Sequence, residues 1–258
     1  MKNQKEFNPK KMTKIMVACA VGIMALLLAL PMVTLVFGSP KKLMPIYSVQ
    51  TDEKVVAITL NAAWGDGDTD TLIEILKEFD AKATFFVCGY WVTKHPESLQ
   101  KFYDAGHAIG NHGDTHAHVA SLNFEQNVEE IAAAHTRVLR LLGIEMELYR
   151  PPYGEYNDTV IKAADSLKYY TIQWDVDSLD WKRPTPEAMA SRVLEHKSLQ
   201  NGSIILFHCD IPETPIALRK ILAELKNRGY GFVTVTELIH RGSFKIDHTG
   251  RQIPVDTR

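Results

Sequence analysis

The sequence predicts an α/β domain of parallel construction, closer to a barrel than to an open sheet, preceded by one N-terminal transmembrane helix. Two observations carry this. Apolar strand-like runs and amphipathic helical runs alternate about seven times over roughly 190 residues, the pattern of repeated β/α units. Ahead of them, the stretch 15–37 runs without a charge, long enough to cross a hydrocarbon core of about 30 Å.

Lys2, Lys5, Lys10, Lys11 and Lys14 make 1–14 a basic tail, which the positive-inside rule keeps in the cytoplasm. The rest of the chain is then delivered outside. A cleaved signal peptide is the rival reading and would leave a secreted protein. Its apolar core is usually about 7–15 residues, however, and no clear small-x-small site follows here. Residues 38–50, with two prolines and two lysines, read as a linker to a domain over 51–241.

Within that domain, the β-branched run from Val55 to Leu60 has the continuous apolar character of a strand buried on both faces. From Asp68 to Phe79, Leu72, Ile75, Leu76 and Phe79 fall at helical spacing, with Asp68 or Thr69 placed to cap the start. Ala83 to Val87 reads as the next strand. Helices expected near Glu97 to Ala105, Phe124 to Leu142 and Leu218 to Arg228 stop at Gly106, Gly143 and Gly229, residues that tolerate a left-handed cap. Further strands are expected at Tyr149-Arg150, from Tyr170 to Trp174, from Ile204 to Phe207 and from Phe232 to Val235. The tail 242–258 is polar and patternless and receives no role.

Composition excludes more than it assigns. A net charge of -2 gives no basis for nucleic-acid binding. Cys19, Cys88 and Cys209 share no CxxC spacing and form no disulfide framework; Cys88, after an apolar run, reads as a buried inert thiol. Oligomeric state is not encoded in any pattern.

The chemistry gathers in four clusters, each following an apolar strand. His112 and His116 are four residues apart, and one helical turn would aim both imidazoles at one point, as metal ligation needs. Arg150-Pro151-Pro152-Tyr153-Gly154 is a segment stiffened by two prolines, which holds the Arg150 side chain and Tyr153 amide rigidly. Asp175, Asp177 and Asp180 bracket Trp174 and Trp181, a mixture of acids and indoles suited to sugar binding. Leu206-Phe207-His208 sets a histidine immediately after a buried strand.

In this order, His112-x-x-x-His116, Arg150 to Gly154, Asp177-x-x-Asp180-Trp181 and Leu206-x-His208 resemble four of the five motifs of the polysaccharide deacetylases, carbohydrate esterase family 4. The resemblance covers about Lys54 to His240 and is similar in flavour to the membrane-anchored or secreted deacetylases of spore-forming bacteria. It implies a distorted (β/α)7 barrel. It also implies metal-dependent removal of N-acetyl groups from an envelope or spore polysaccharide, peptidoglycan or a chitin-like amino sugar. By the same resemblance His112 and His116 hold one divalent ion, Zn2+ by preference, with Co2+ or Ni2+ as alternatives. His208, tuned by Asp180, protonates the departing amine. Arg150 orients the general base, the Tyr153 N–H faces the oxyanion, and Trp181 and Leu206 line the acetyl and sugar pocket.

The first motif departs from the family. Where the family has Thr-Phe-Asp-Asp, this chain has Thr59-Leu60-Asn61-Ala62. The resemblance makes the first aspartate the base and the second a metal ligand; Asn61 cannot accept a proton and Ala62 cannot ligate. Asp66 and Asp68 lie in the following Gly-rich loop, which can bring one of them inward; Asp66 is the preferred stand-in for both roles, since Asp68 is also placed to cap a helix. Two readings follow: an extracytoplasmic N-deacetylase rewired through Asp66, or a degenerate domain that binds metal or glycan without turnover. Hydrolysis of an amide or ester on another acylated envelope polymer is a third.

Overall fold

The computed structural model describes residues 42–255 and, near the N-terminus, residues 10, 12–14, 16 and 18, which are helical. Apart from residues 16 and 18, the expected span 15–37 lies outside the described residues. Among the described residues no helix is long and apolar enough to cross a membrane.

The body is built on a curled sheet whose strands run parallel. In chain order the elements are β1 (Ser48–Val49), β2 (Val55–Ala62), α1 (Thr69–Glu78), β3 (Ala83–Val87), α2 (Gly89–Lys94), α3 (Pro96–Asp104), β4 (Ala108–Asn111), α4 (Phe124–Leu142) and β5 (Leu148–Tyr149). There follow α5 (Asp158–Ser166), β6 (Tyr170–Thr171), β7 (Val176–Asp177), α6 (Pro186–Leu194), β8 (Ile204–His208), α7 (Glu213–Asn227), β9 (Gly231–Phe232) and α8 (Val235–Leu238). The strands pair in the order β6-β5-β4-β3-β2-β8-β7, and β9 joins the start of β2. Every residue of β3 and β8 is buried, as strands covered on both faces require. The register pairs Asn61 with Phe86 on one side and His208 on the other. It also pairs Val87 with Asn111 and Asn111 with Tyr149, so the strand ends bearing Asn61, Cys88, His112, Arg150 and His208 open on one rim.

Two stretches given no structural role by the sequence are part of this body. The expected linker 38–50 is structural at its C-terminal end. Ile46 bridges Ile172 just after β6, and Ser48 bridges Ser203 just before β8. Backbone hydrogen bonds from Ile46 N to Thr171 O (2.8 Å) and from Val49 N to Gly202 O (2.9 Å) seal it in place. It thus lies where β6 and the β7–β8 edge leave the sheet unpaired. The tail folds as well: β10 (Phe244–Ile246) and β11 (Arg251–Pro254) form an antiparallel pair, and β11 runs parallel to β1. Gln252 is fully buried there and exchanges hydrogen bonds with the His240 backbone.

Other departures have local causes. The expected strand from Phe232 to Val235 ends at Phe232, because Thr234 and Glu237 form a capping box that starts α8. Helices α5 and α6 are capped by Asn157 and Thr185, whose side chains accept from Val160 N and Ala188 N. At the start of α1, Asp68 makes no side-chain cap; its carboxylate is used elsewhere.

Gly202 shows how tightly the sealing segment packs. Its φ is +79°, and a Cβ would meet the Val49 carbonyl oxygen at 1.9 Å. Gly202→Ala should therefore cost about 3 kcal/mol, from left-handed strain plus overpacking. Thermal unfolding should show a drop of about 6–12 °C. Gly143→Ala is the control: its φ is +69° but nothing lies within 4 Å of the added carbon, so it should cost about 1 kcal/mol.

Candidate active site

The rim cleft has a volume of about 450 Å³ and is lined by Asn61, His112, His116, Asp177, Leu206 and His208, with aromatic walls from Trp64, Tyr153, Trp174 and Trp181. His112 and His116 meet here, their ring centroids 5.1 Å apart. No helical turn brings them together. The segment after β4 is a loop that turns at Gly113 (φ +77°) and at His116 itself (φ +57°), a conformation a β-carbon resists. The loop is held from α4. Glu130 accepts the Asp114 and Thr115 backbone N–H groups at 3.0 and 2.9 Å, and Arg137 donates to Asp114 Oδ1 at 2.6 Å.

His112 Nδ1 lies 2.7 Å from the Arg150 carbonyl oxygen. That carbonyl can only accept, so Nδ1 carries the proton and Nε2 keeps its lone pair. Burial, with His116 beside it, pushes His112 well below the usual histidine range; burial also lowers His116. Both rings are therefore neutral at pH 7, the form that ligates metals. Ligand atoms of Cys88, His112 and His116 all lie within 4.8 Å of one another. The donor set fits a divalent ion, and the pair of histidines named from sequence converges.

Arg150 is fully buried beneath the cleft. Its Nη1 donates to Thr59 Oγ1 (2.9 Å) and Asn61 Oδ1 (3.1 Å), and its Nη2 donates to the Gln173 carbonyl (3.1 Å). All three acceptors are neutral, and Nε has no partner. The guanidinium lies over the Phe86 ring at 4.0 Å. Burial pulls its pKa down to about 9, only partly offset by Asp177. Asn61 is thus positioned by Arg150 where a carboxylate would complete an ion pair.

Opposite Asn61 stands an assembled His–Asp pair. His208 Nδ1 is 2.7 Å from Asp180 Oδ1, and His208 N donates to Asp180 Oδ2 at 2.6 Å. Thr214 Oγ1 and Trp181 N donate to the same fully buried carboxylate, which therefore cannot rotate away. His208 Nε2 is left as the polar atom offered to a ligand, as a general acid needs. Tyr153 turns at φ +58° and presents its ring edge-on to His116 and stacked on His118, at 4.5 and 4.2 Å. Trp181 and Trp64 are each 51% exposed, flanking the cleft as open faces. Trp64, in the turn after β2, lies 5.8 Å from both His116 and His208 and was missed from sequence, whereas Trp174 and Asp177, read there as part of a sugar-binding mixture, both line the cleft. The Ala63-Trp64-Gly65 turn at a strand end was the available signal for Trp64.

The expectation for Asp66 requires correction. Its carboxylate accepts from Ser98 Oγ at 2.6 Å and lies 3.1 Å from His95 Nδ1, in a separate cleft beside α3. It joins neither the histidine pair nor the rim cleft. The Gly65–Gly67 turn that was expected to swing it inward turns it outward toward the two helices that follow β3. Asp68 is buried instead and accepts from Asp210 N at 2.9 Å, anchoring the loop after β8; burial raises it to about 6. Asp175 is also structural, accepting from Ile204 N and Ser203 Oγ. Of the acids near the cleft, Asp177 lines it, and both its oxygens are engaged, by Leu179 N at 2.8 Å and Trp174 Nε1 at 3.2 Å.

Comparison with known proteins agrees with this architecture. A polysaccharide deacetylase family model matches residues 48–172. A peptidoglycan-N-acetylglucosamine deacetylase of Bacillus cereus is 35% identical over 198 residues, covering 75% of this chain and 92% of that protein. YlxY of Bacillus subtilis is 33% identical over 195 residues, 76% of this chain but only 60% of its own length. Among solved structures, BA3943 of Bacillus anthracis, described as a family 4 carbohydrate esterase pseudoenzyme, superposes with a TM-score of 0.72 at 34% identity, covering 75% of this chain and 68% of that one. A mutant of it is described as having restored enzymatic activity. The chain belongs to the polysaccharide deacetylase family, carbohydrate esterase family 4.

The lone buried charge yields a prediction independent of catalysis. Asn61→Asp gives Arg150 a partner at hydrogen-bond distance, and should raise stability by about 1–3 kcal/mol at neutral pH, since an uncompensated buried charge costs about 3–5 kcal/mol. Denaturant unfolding measures it. The gain should disappear as acid protonates the introduced carboxylate.

Proposed function

We propose that this chain binds N-acetylated glycan of the bacterial envelope, peptidoglycan or a related amino-sugar polymer, in a deacetylase cleft that retains its metal and acid sides but lacks a general base. The observation that carries this is the hydrogen bond from Arg150 to Asn61. The position opposite His208 is filled by an amide, and the expected substitute, Asp66, is engaged by Ser98 and His95. An amide oxygen accepts a hydrogen bond but takes no proton near neutral pH. A divalent ion at His112 and His116 would supply polarisation of an acetamide carbonyl and activation of water. The protein's own groups would hold that acetamide. Leu206 and Trp181 pack the acetyl group, the Tyr153 N–H and His208 Nε2 approach its oxygen and nitrogen, and Trp64 offers a face to the ring.

The intact His208–Asp180 pair favours a second reading, an N-deacetylase of reduced rate in which the acid still assists amine departure. The two readings share the substrate class and part on turnover. The apolar stretch 15–37 after a basic tail supports delivery of the domain to the outer side of a membrane, anchored or released by cleavage.

Zn2+-loaded full-length protein should bind N-acetylated glucosamine oligomers without accumulating acetate. Trp181→Ala and Trp64→Ala should each weaken that binding about tenfold, equivalent to about 1.4 kcal/mol. Calorimetry with a parallel acetate assay reads both quantities. Absence of binding would remove the proposal; acetate release that His208→Ala abolishes would replace it with the deacetylase reading.

A further inference from the structure

The metal side of the cleft has two histidines where a tetrahedral or five-coordinate ion needs a third protein ligand to be held firmly. Ala62, at the end of β2, offers none. The residue hydrogen-bonded to it does. Cys88 N donates to Ala62 O at 3.1 Å, one step beyond the Ala62–Val87 register pair, so Cys88 follows directly on the strand position that faces Ala62. Its Sγ lies within 4.8 Å of the ligand nitrogens of both histidines, and this trio is the group of such residues found among the described residues. Ligands on one tetrahedral ion with sulfur at about 2.3 Å and nitrogen at about 2.0 Å sit roughly 3.5 Å apart, so closing the trio takes shifts on the order of 1 Å.

From this geometry we infer that Cys88 is a metal ligand, completing a His112–His116–Cys88 site in which a thiolate does the work that a carboxylate at residue 62 would otherwise do. The inference rests on the reading of the two histidines as ligands and adds the third donor. Three further observations fit. Cys88 has no disulfide partner and is fully buried, so its thiol is protected from bulk oxidants. Its S–H donates to the His112 carbonyl at 3.3 Å, which places the sulfur on the histidine side of the strand end and is the bond given up when the thiol is deprotonated. The loop bearing the histidines is tied to the segment after Cys88 by Gly89 N to Gly113 O and Tyr90 N to Asp114 O, both 3.0 Å, so all three donors move as one unit. On binding, the S–H bond breaks, its proton passes to solvent, and the sulfur lone pair forms the bond to the ion; no electron is transferred. A thiolate is a softer donor than a carboxylate, so the site should favour Zn2+ and Co2+ over Mg2+ or Mn2+.

The test is Co2+ titration of the metal-free full-length protein, read by absorption. Wild type should develop a sulfur-to-cobalt charge-transfer band in the near ultraviolet, together with the visible bands of a low-coordinate ion, saturating at one equivalent. Cys88→Ser, close in size, should lose the charge-transfer band and bind at least about tenfold more weakly, the lower end of what even an outer-shell partner costs. Cys88→Ala should do the same, with circular dichroism confirming that both variants fold. His112→Ala and His116→Ala should lose Co2+ binding. If the histidine variants lose Co2+ while the Cys88 variants keep wild-type spectrum and affinity, the cysteine inference fails alone. If wild type binds no Co2+, or the histidine variants bind it unchanged, the metal site as a whole fails with it.

Discussion

A guanidinium without a carboxylate is the constraint on which this site turns. Arg150 is enclosed under the rim, and its acceptors are a hydroxyl, an amide and a backbone carbonyl. Removing a cation from water is costly, and neutral acceptors repay only part of it. The Phe86 face beneath it contributes a cation–π term, worth up to about 2 kcal/mol where water is excluded. The structure keeps this arrangement because Arg150 also organises its neighbours. Its carbonyl fixes the His112 tautomer and its side chain fixes the Asn61 amide, so one residue orients both His112 and Asn61.

The cleft is accordingly asymmetric. On the acid side every donor is satisfied: Asp180 receives hydrogen bonds from His208, Trp181 and Thr214 and can do little but hold the imidazole. Residue 61 beside it is an amide and residue 62 carries only a methyl group. The Cys88 thiol at the neighbouring strand end is a local compensation, whereas nothing comparable compensates Asn61.

The parallel construction was legible because buried strands such as β3 and β8 are continuous apolar runs, and helix ends such as Gly143 carry their own signal. The four motifs were legible because each follows a strand and the parallel register brings strand ends to one rim. The rest depended on contacts that no local pattern announces. The Ile46–Val49 segment and the β10–β11 pair owe their place to bridges with Ile172, Ser203 and β1, each distant in sequence. Asp66 was misplaced because a glycine-flanked loop constrains its own direction so weakly; Ser98 and His95, thirty residues away, decide it. Cys88 is buried, as its apolar run implies, but its approach to His112 and His116 depends on strand pairing that no local pattern shows.

Acetate release from an N-acetylated glucosamine oligomer, measured for Zn2+-loaded wild type and Asn61→Asp side by side, tests the central claim most directly. A carboxylate at residue 61 would accept from Arg150 and stand beside His208 at the neighbouring strand end, restoring the base half of the chemistry. The account predicts no acetate above background from wild type and, from Asn61→Asp, release about 10²–10⁴-fold above that background, the usual contribution of a positioned acid–base group. A wild type that already turns over, at a rate that Asn61→Asp leaves unchanged or lowers, would contradict it and mean that another group in this cleft is the base.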